Sequence, residues 1–281
     1  MEWKGRRGSR NIEDRRGSSM GRGAAGIGVF GAIVVLLLGL FFGVDVSPLL
    51  QGTGRAPSGP VELTAQEKAA GEFVSVTLAD TEEVWTSVFR DQLNAPYTPA
   101  VLVLFKGSTP SPCGGANGAT GPFYCPLDRK VYLDTQFFAT MERQLGAKGD
   151  FAAAYVVAHE IGHHVQDELG ILGKTTDARR SVSDVQGNEI SVRVELQADC
   201  LAGIWARQAS DSFGAIRPGD FEEALQAARQ IGDDTLQRNA GQRPMPHTFT
   251  HGTSEQRQRW FAIGLQSGQI ADCDTFSPGR L

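Results

Sequence analysis

Apolar positions recur at helical spacing over much of the second half of this chain. The clearest run, Ala152 to Val165, predicts a helix spanning Phe151–Leu169, and Gly170 follows as a stop signal. The same pattern predicts six further helices: Thr64–Thr77, Asp80–Leu93 with Asp80 as N-cap, Asp134–Leu145, Asn188–Ala209, Asp220–Ile231, and Ser254–Gln266 behind a Thr253–Gln256 capping box.

Two short stretches follow the pattern of strands. Ala100–Lys106 is a continuous apolar run, and Lys130–Leu133 alternates charged and apolar residues as a half-exposed strand does. The exposed strand is either an ordinary sheet edge or an edge that holds an extended peptide. The polar segment Gly173–Gly187 is expected to be an irregular flap. The fold class predicted is therefore α+β, mainly α, with a small sheet.

A charge-free apolar stretch, residues 23–44, predicts a transmembrane anchor. Its 22 residues would cover about 33 Å as a helix, enough for a bilayer core of roughly 30 Å. Residues 1–22 hold seven Lys or Arg and three acids, within a chain of net charge −5. The positive-inside rule places that basic tail in the cytoplasm and the rest outside, and it explains the tail better than nucleic-acid binding does.

The anchor divides the chain into a tail (1–22), a lipid-embedded helix (23–44), a linker rich in Pro, Gly and Ser (45–63) and a catalytic domain (64–281). The predicted location is the bacterial cytoplasmic membrane, with the domain in the periplasm or outside the cell. A cleaved signal peptide is the competing interpretation. The stretch is longer than a signal core, and no Ala-x-Ala site follows it.

Four cysteines agree with an oxidising location. Cys113 and Cys125 bracket a glycine-rich loop and are close in sequence, so a disulfide between them is plausible. Cys200 and Cys273 would then form the second bond. Three pairings are open from sequence alone, and this one is the most natural.

The segment His159-Glu160-Ile161-Gly162-His163 carries the strongest chemical signal. Residues four apart on a helix leave the same face, so both imidazoles can bind one zinc ion. Glu160 between them can act on a water at that metal. The plainer interpretation is a buried helix with two hydrogen-bonded histidines.

A catalytic zinc site needs a third protein ligand, and Glu195 is the first candidate. It lies beside an apolar helical stripe together with Asp199, where carboxylates are costly to bury without a cation. Asp199 can accept the free ring N–H of a ligating histidine. A solvated acidic pair at the helix edge is the alternative explanation, and His247 is an alternative ligand.

His-Glu-x-x-His followed by Glu-x-x-x-Asp is the gluzincin pattern, and the chain resembles the bacterial neutral zinc metallopeptidases of the YpfJ-like family. The stretches that carry the resemblance are WKGRRGSRNIEDRRG, FYCPLDRKVYLD, VVAHEIGHHVQ, VELQADCLAGIW and HGTSEQRQRWF. The resemblance implies a zincin-like fold and peptidase activity. It also implies that His159, His163 and Glu195 bind zinc and that Glu160 is the base.

The expected function is membrane-anchored hydrolysis of peptide substrates with one Zn²⁺. A developing oxyanion needs a second electrophile, for which His251 is the first candidate and Tyr155 the next. His164 points away from His159 and is expected to make a polar contact. The rival hypothesis is a membrane-tethered, non-catalytic scaffold with a structural metal. The sequence does not indicate an oligomeric state.

Overall fold

The computed structural model describes residues 1–17, 62–117, 120–144, 149–214, 216–277, 279 and 281. The described part is α+β and mainly helical, as predicted, with a small sheet. Its α-helices are Ala65–Val88 (α1), Gln136–Gln144 (α2), Asp150–Glu168 (α3), Ile171–Arg179 (α4), Asp184–Phe213 (α5), Pro218–Gln230 (α6), Asp233–Asn239 (α7) and Ser254–Ser267 (α8). Its strands are Ile12–Asp14 (β1), Val101–Phe105 (β2), Ser108–Thr109 (β3), Ala116–Asn117 (β4), Phe123–Cys125 (β5) and Lys130–Asp134 (β6).

The main sheet has the strand order β1-β2-β6-β5. Strands β1, β2 and β6 run parallel to one another, and β5 runs antiparallel to β6. The prediction of an exposed edge at Lys130–Leu133 was wrong, because β6 is hydrogen bonded to β2 on one side and to β5 on the other. In the described sheet the edge strand next to α3 is β5.

The N-terminal segment belongs to this sheet. Ile12 pairs with Leu102, and Asp14 pairs with Leu104, in a parallel register. Residues 1–17 were expected to form part of a separate cytoplasmic tail, with the domain beginning at residue 64. The structure differs, because these residues supply a strand of the domain and pack on α1. Strand β1 was not predicted, because Ile12 is the only apolar residue among its three.

The first long helix contains a correction. Thr64 and Glu67 form a capping box at its start, but α1 continues without a break through Asp80, which was predicted to cap a second helix. Asp80 is buried in the helix interior, where Arg6 makes two hydrogen bonds to its carboxylate at 2.7 and 2.6 Å. In the sequence, a buried aspartate within a helix looks like an N-cap as long as its distant ion-pair partner, here Arg6, is unknown.

The predicted irregular flap at Gly173–Gly187 was also wrong. Most of it is helical, in α4 and the first turn of α5, and Ser183 and Gln186 form a capping box between them. None of the residues of α4 is buried, so it lacks the apolar face from which a helix is recognised in a sequence.

Glycines let the central helices approach closely. A Cβ at Gly203 of α5 would overlap the carbonyl oxygen of Phe261 on α8, and one at Gly264 would overlap that of Cys200. A Cβ at Gly162 of α3 would lie 3.0 Å from the Ala198 carbonyl oxygen. These contacts bring α3, α5 and α8 together around one buried region.

Both predicted disulfides are present. Cys113 is bonded to Cys125, and Cys200 of α5 is bonded to Cys273 near the C-terminus. The predicted transmembrane anchor at residues 23–44 and nearly all of the linker lie outside the described residues. In the part of the chain that the structure describes, no helix combines the length and the apolarity that a membrane span requires.

Candidate metal centre

The three predicted metal ligands come together between α3 and α5. Ligand atoms of His159, His163 and Glu195 all lie within 4.8 Å of one another. His159 Nε2 is 3.1 Å from Glu195 Oε2, and His163 Nε2 is 3.5 Å from Glu195 Oε1. Each ring therefore directs its Nε2 toward the same carboxylate, which leaves both Nδ1 atoms facing away from the centre.

The local sequence explains this arrangement. His159 and His163 lie one turn apart on α3, and Gly162 allows that turn to contact the α5 backbone at Ala198. Glu195 lies one turn before Asp199 on α5, so both carboxylates meet the histidine-bearing face of α3. A Cβ at position 162 would be in tight contact with the α5 backbone, so a larger residue there would push α3 and α5 apart.

Asp199 orients the first histidine. His159 Nδ1 lies 2.9 Å from Asp199 Oδ1, and Asp199 is fully buried. Arg257 of α8 donates from Nε and Nη2 to the two oxygens of this carboxylate, at 2.9 and 3.0 Å. Burial is the largest influence on Asp199 and would raise its pKa, but the charges of Arg257 and His159, together with their hydrogen bonds to the carboxylate, lower that pKa overall. The ionised carboxylate only accepts, so Nδ1 of His159 carries the proton and Nε2 is available to a metal.

The second histidine has a different support. His163 Nδ1 lies 2.8 Å from Oε1 of Gln166, a residue three positions further along α3 that is fully buried. This contact also leaves Nε2 of His163 facing Glu195.

Three carboxyl groups gather at the centre. Glu160 and Asp199 are buried, Glu195 is partly buried, and the guanidinium of Arg257 pairs with Asp199. Burial disfavours the charged imidazole, yet the neighbouring carboxylates raise the pKa of His159 to about 10 and also raise that of His163. The centre therefore has the electrostatics of a cation site.

Glu160 and Glu195 differ in their titration. Burial raises the pKa of Glu160, and the positive charge of the two histidines only partly opposes it. Burial acts on Glu195 in the same direction, but the charge of His163 and hydrogen bonds to both rings hold its pKa well below the usual range. Glu195 is thus ionised, as a candidate metal ligand must be, while Glu160 binds a proton more readily than a free glutamate.

The two candidates for an electrophile lie in different places. Tyr155 is fully buried, and its hydroxyl donates to Asp199 Oδ1 while Arg257 Nη2 lies 3.3 Å away. Tyr155 therefore supports Asp199 and has no exposed surface with which to contact a substrate, which corrects the prediction for this residue.

His251 is about half exposed and lies near enough to Glu195 for each to shift the pKa of the other. Asp233 holds it: Oδ2 accepts from the backbone N–H groups of Thr250, His251 and Gly252 at 2.6 to 3.0 Å, and Oδ1 lies 3.3 Å from the ring Nδ1.

The other two histidines are not ligands of this cluster. His247 is exposed and lies in the short helical turn Pro246–Thr248. Among the described residues, the group of side chains that could bind a metal does not include it. His164 is buried, with Nε2 2.7 Å from the Thr98 carbonyl oxygen and Nδ1 3.1 Å from the Tyr124 hydroxyl. It makes the polar contacts that were predicted for it.

Comparison with known proteins identifies the family. Residues 1–276 match the family model described as "Putative neutral zinc metallopeptidase". The chain belongs to this family. Uncharacterized protein YpfJ of Escherichia coli strain K12 is 43% identical over 285 residues, which covers 98% of this chain and 99% of that protein.

Mycobacterial relatives are similar over a shorter region. Uncharacterized proteins Rv2575 of Mycobacterium tuberculosis strain H37Rv and Mb2605 of Mycobacterium bovis are each 42% identical over 222 residues, 75% of this chain and 74% of theirs. No solved structure matches the chain significantly. The neutral zinc metallopeptidase match begins at residue 1, so it includes β1 as well as all three candidate ligands.

Three residues that support the site were missed in the sequence. Gln166 had a weak local signal, because it lies three positions after His163 and so on a neighbouring part of the same helix. Asp233 and Arg257 had none, since their partners lie 18 and 58 residues away along the chain.

Proposed function

We propose that this neutral zinc metallopeptidase family member is a zinc-dependent peptidase, with His159, His163 and Glu195 as ligands and Glu160 as general base. The observation that carries the proposal is the convergence of the three ligand atoms within 4.8 Å. Glu160, on the same helical turn, provides a buried carboxyl beside them. The family description supports zinc and peptide hydrolysis as the chemistry.

The donor set fits zinc. Two imidazole nitrogens and one carboxylate oxygen are a ligand combination of catalytic zinc sites, which keep a further position for water or substrate. Hydrogen bonds on Nδ1 leave both Nε2 atoms directed at Glu195, whose carboxylate is ionised and can bind a divalent cation with them.

Zinc at such a site would act as a Lewis acid on the substrate carbonyl and lower the pKa of water to about 7. Glu160 then accepts the proton of the attacking water and delivers it to the leaving amine. The raised pKa of Glu160 suits this role, because a carboxylate that binds a proton more firmly than usual can take the proton from water and hold it until the amine leaves.

His251 would stabilise the developing oxyanion as a hydrogen-bond donor. Burial disfavours its charged form, but hydrogen bonding to Asp233 and the charge of Glu195 raise its pKa, so the ring is more often protonated near neutral pH. Asp233 holds both the ring and the backbone of the loop in place.

A peptide substrate would bind beside β5. This strand has one sheet neighbour among the described strands and packs against α3, the helix that carries Glu160. Main-chain hydrogen bonds to a strand edge hold an extended peptide without depending on its side chains.

The cellular location is proposed on two grounds. The apolar residues 23–44 would attach the protein to a membrane. The Cys113–Cys125 and Cys200–Cys273 disulfides favour an oxidising compartment for the domain, outside the cytoplasmic membrane.

The deciding experiment compares Glu160→Gln with the unaltered protein and with Glu189→Gln, an exposed change on α5. All three are assayed for bound zinc and for hydrolysis of a mixed peptide library by mass spectrometry. Glu160→Gln should retain zinc and lose cleavage, while Glu189→Gln should retain both. Cleavage by Glu160→Gln at the unaltered rate would remove Glu160 as the base and favour a non-catalytic role for the metal.

A further inference from the structure

A chain of buried amide side chains extends from His163 to the C-terminal segment. His163 Nδ1 contacts Gln166 Oε1 at 2.8 Å, and Gln166 Nε2 contacts Gln197 Oε1 at 3.0 Å. Gln197 Nε2 in turn donates to the carbonyl oxygen of Cys273 at 2.9 Å. We call these two amides, Gln166 and Gln197, the glutamine relay.

Two backbone carbonyls determine the direction of every hydrogen bond in the relay. Gln166 Nε2 also donates to the Val194 carbonyl oxygen at 2.8 Å. A carbonyl oxygen accepts and never donates, so the atoms facing Val194 and Cys273 must be the NH₂ groups of the two glutamines. Each glutamine oxygen then faces the previous member, and Gln166 Oε1 requires a proton on His163 Nδ1.

We propose that the glutamine relay positions His163 for metal binding and that the Cys200–Cys273 disulfide anchors its far end. Gln166 fixes the tautomer that leaves Nε2 free, and Gln197 fixes the amide orientation of Gln166. Cys273, which supplies the last acceptor, is buried and bonded to Cys200 on the ligand-bearing helix α5. This inference rests on the proposed function, because it assigns a task to residues around that metal site.

A second connection holds the same C-terminal segment to α5. Thr275 Oγ1 donates to the Arg193 carbonyl oxygen at 2.7 Å, and the Arg193 guanidinium donates to the Thr275 carbonyl oxygen. Arg193 is two residues before Glu195, so the C-terminal segment is fastened to α5 on both sides of that ligand. The C-terminal segment therefore supports both the glutamine relay and the part of α5 that carries Glu195.

The test measures zinc affinity by competition with a chelator in the full chain. Gln166→Met keeps the side-chain length but removes the acceptor for His163 Nδ1, and should weaken binding by about 10- to 100-fold. Gln197→Met should weaken it less, and the exposed control Gln266→Met should leave it unchanged.

A spectroscopic measurement separates positioning from a general structural effect. In the zinc-loaded protein, the Nδ1 proton resonance of His163 should be downfield and should move upfield in Gln166→Met. The corresponding resonance of His159, which contacts Asp199, should not move and is the internal control. Unchanged affinity together with an unmoved His163 resonance would overturn the relay. Failure of the unaltered protein to bind zinc would overturn the proposed function itself.

The disulfide is tested by replacing Cys200 and Cys273 with serine, with the Cys113 and Cys125 double replacement as the matched control. Zinc affinity should fall in the variant that lacks the Cys200–Cys273 disulfide and stay unchanged in the variant that lacks the Cys113–Cys125 disulfide. Equal zinc affinities in the two variants would show that the Cys200–Cys273 disulfide does not support the relay.

An independent observation concerns the N-terminal arm, defined as residues 1–17. Beyond the β1–β2 pairing, Leu102 N donates to the Asn11 carbonyl and Arg15 N to the Leu104 carbonyl, each at 2.8 Å. Arg6 neutralises the buried Asp80 of α1. Arg16 is buried, where it contacts Asp14 and donates to the backbone carbonyl of Glu67.

These contacts cannot form across a bilayer, and their loss would leave the Asp80 carboxylate buried without its partner. We infer that the N-terminal arm lies on the same side of the membrane as the metal site. This inference differs from the expectation of a cytoplasmic N-terminus and an external domain, and it rests on the proposed attachment of residues 23–44 to a membrane.

Single cysteines at exposed positions test the inference in the full chain. Lys4→Cys and Arg10→Cys report on the arm, and Asp177→Cys reports on the domain. The four native cysteines are disulfide bonded and do not compete. In spheroplasts, a membrane-impermeant maleimide should label the arm and the domain positions alike. Labelling of Asp177→Cys without labelling of either arm position would overturn the inference that the N-terminal arm and the metal site lie on the same side.

Discussion

Arg257 makes two hydrogen bonds to the fully buried carboxylate of Asp199, which in turn contacts the ring of His159. Arg257 comes from the last long helix, 58 residues after Asp199. The buried guanidinium of Arg257 on α8 thus holds the carboxylate of Asp199 on α5. Through that carboxylate it determines the tautomer of His159, a candidate ligand on α3. The candidate metal centre depends on all three helices.

Arg257→Met should destabilise the fold strongly, because it leaves the Asp199 carboxylate buried and unpaired. We expect a loss of about 3–5 kcal/mol in the free energy of unfolding. Arg238→Met is the control, since the Arg238 guanidinium is exposed where it pairs with Asp234, Asp234 keeps its hydrogen bonds to Ser254, and exposed pairs contribute about 0–1 kcal/mol. Urea denaturation measures both. A similar, small effect of the two changes would show that Asp199 is not held as a buried ion.

Zinc affinity should rise with pH. The pKa of His159 in the metal-free site is raised to about 10, so the ring is protonated at pH 7 and zinc must displace that proton. The apparent affinity should then increase by about tenfold per pH unit for each proton released, until the pH exceeds that pKa. Calorimetry in buffers of different ionisation enthalpy counts the protons.

Asp199→Asn is the matched variant for that measurement. Asparagine removes the negative charge that raises the pKa of His159. Fewer protons should be released at pH 7, and zinc affinity should fall by about 10- to 100-fold because the ring loses its orienting carboxylate. An unchanged proton count in Asp199→Asn would contradict this account of the pKa.

His251→Ala should lower kcat while leaving zinc bound, because His251 is proposed to act on the oxyanion and is not a ligand. Loss of such a donor costs about 10²–10³ in kcat. Asp233→Ala should reproduce most of that loss, since it releases the ring and three backbone N–H groups of the same loop. Asp211→Ala, an exposed change on α5, is the control. Unaltered kcat in His251→Ala would leave the oxyanion without its proposed donor.

The convergence of the candidate ligands could be predicted because their geometry is local. His159 and His163 are one helical turn apart, and Glu195 and Asp199 repeat that spacing on a second helix, so each pair faces one direction whatever the rest of the fold. The disulfides followed from the closeness of Cys113 to Cys125. Helix ends at Gly170 and Thr253 followed from capping residues that act within four positions.

The remainder depends on contacts between distant segments. Asp80 was mistaken for a cap because its partner, Arg6, lies 74 residues earlier. β1 has no alternating pattern and exists because β2 offers it a partner. Helix α4 buries none of its residues, so periodicity could not indicate it. Gln166 is next to the motif, but its role depends on the carbonyls of Val194 and Cys273.

The most direct test of the central claim is the zinc content of the purified full chain after metal stripping and re-addition of zinc, measured by elemental analysis. The unaltered protein should recover about one zinc ion per chain. Glu195→Ala should recover clearly less, and the exposed control Glu189→Ala should match the unaltered protein. An unaltered chain that stays metal-free in excess zinc, or full zinc retention by Glu195→Ala, would contradict the proposed centre.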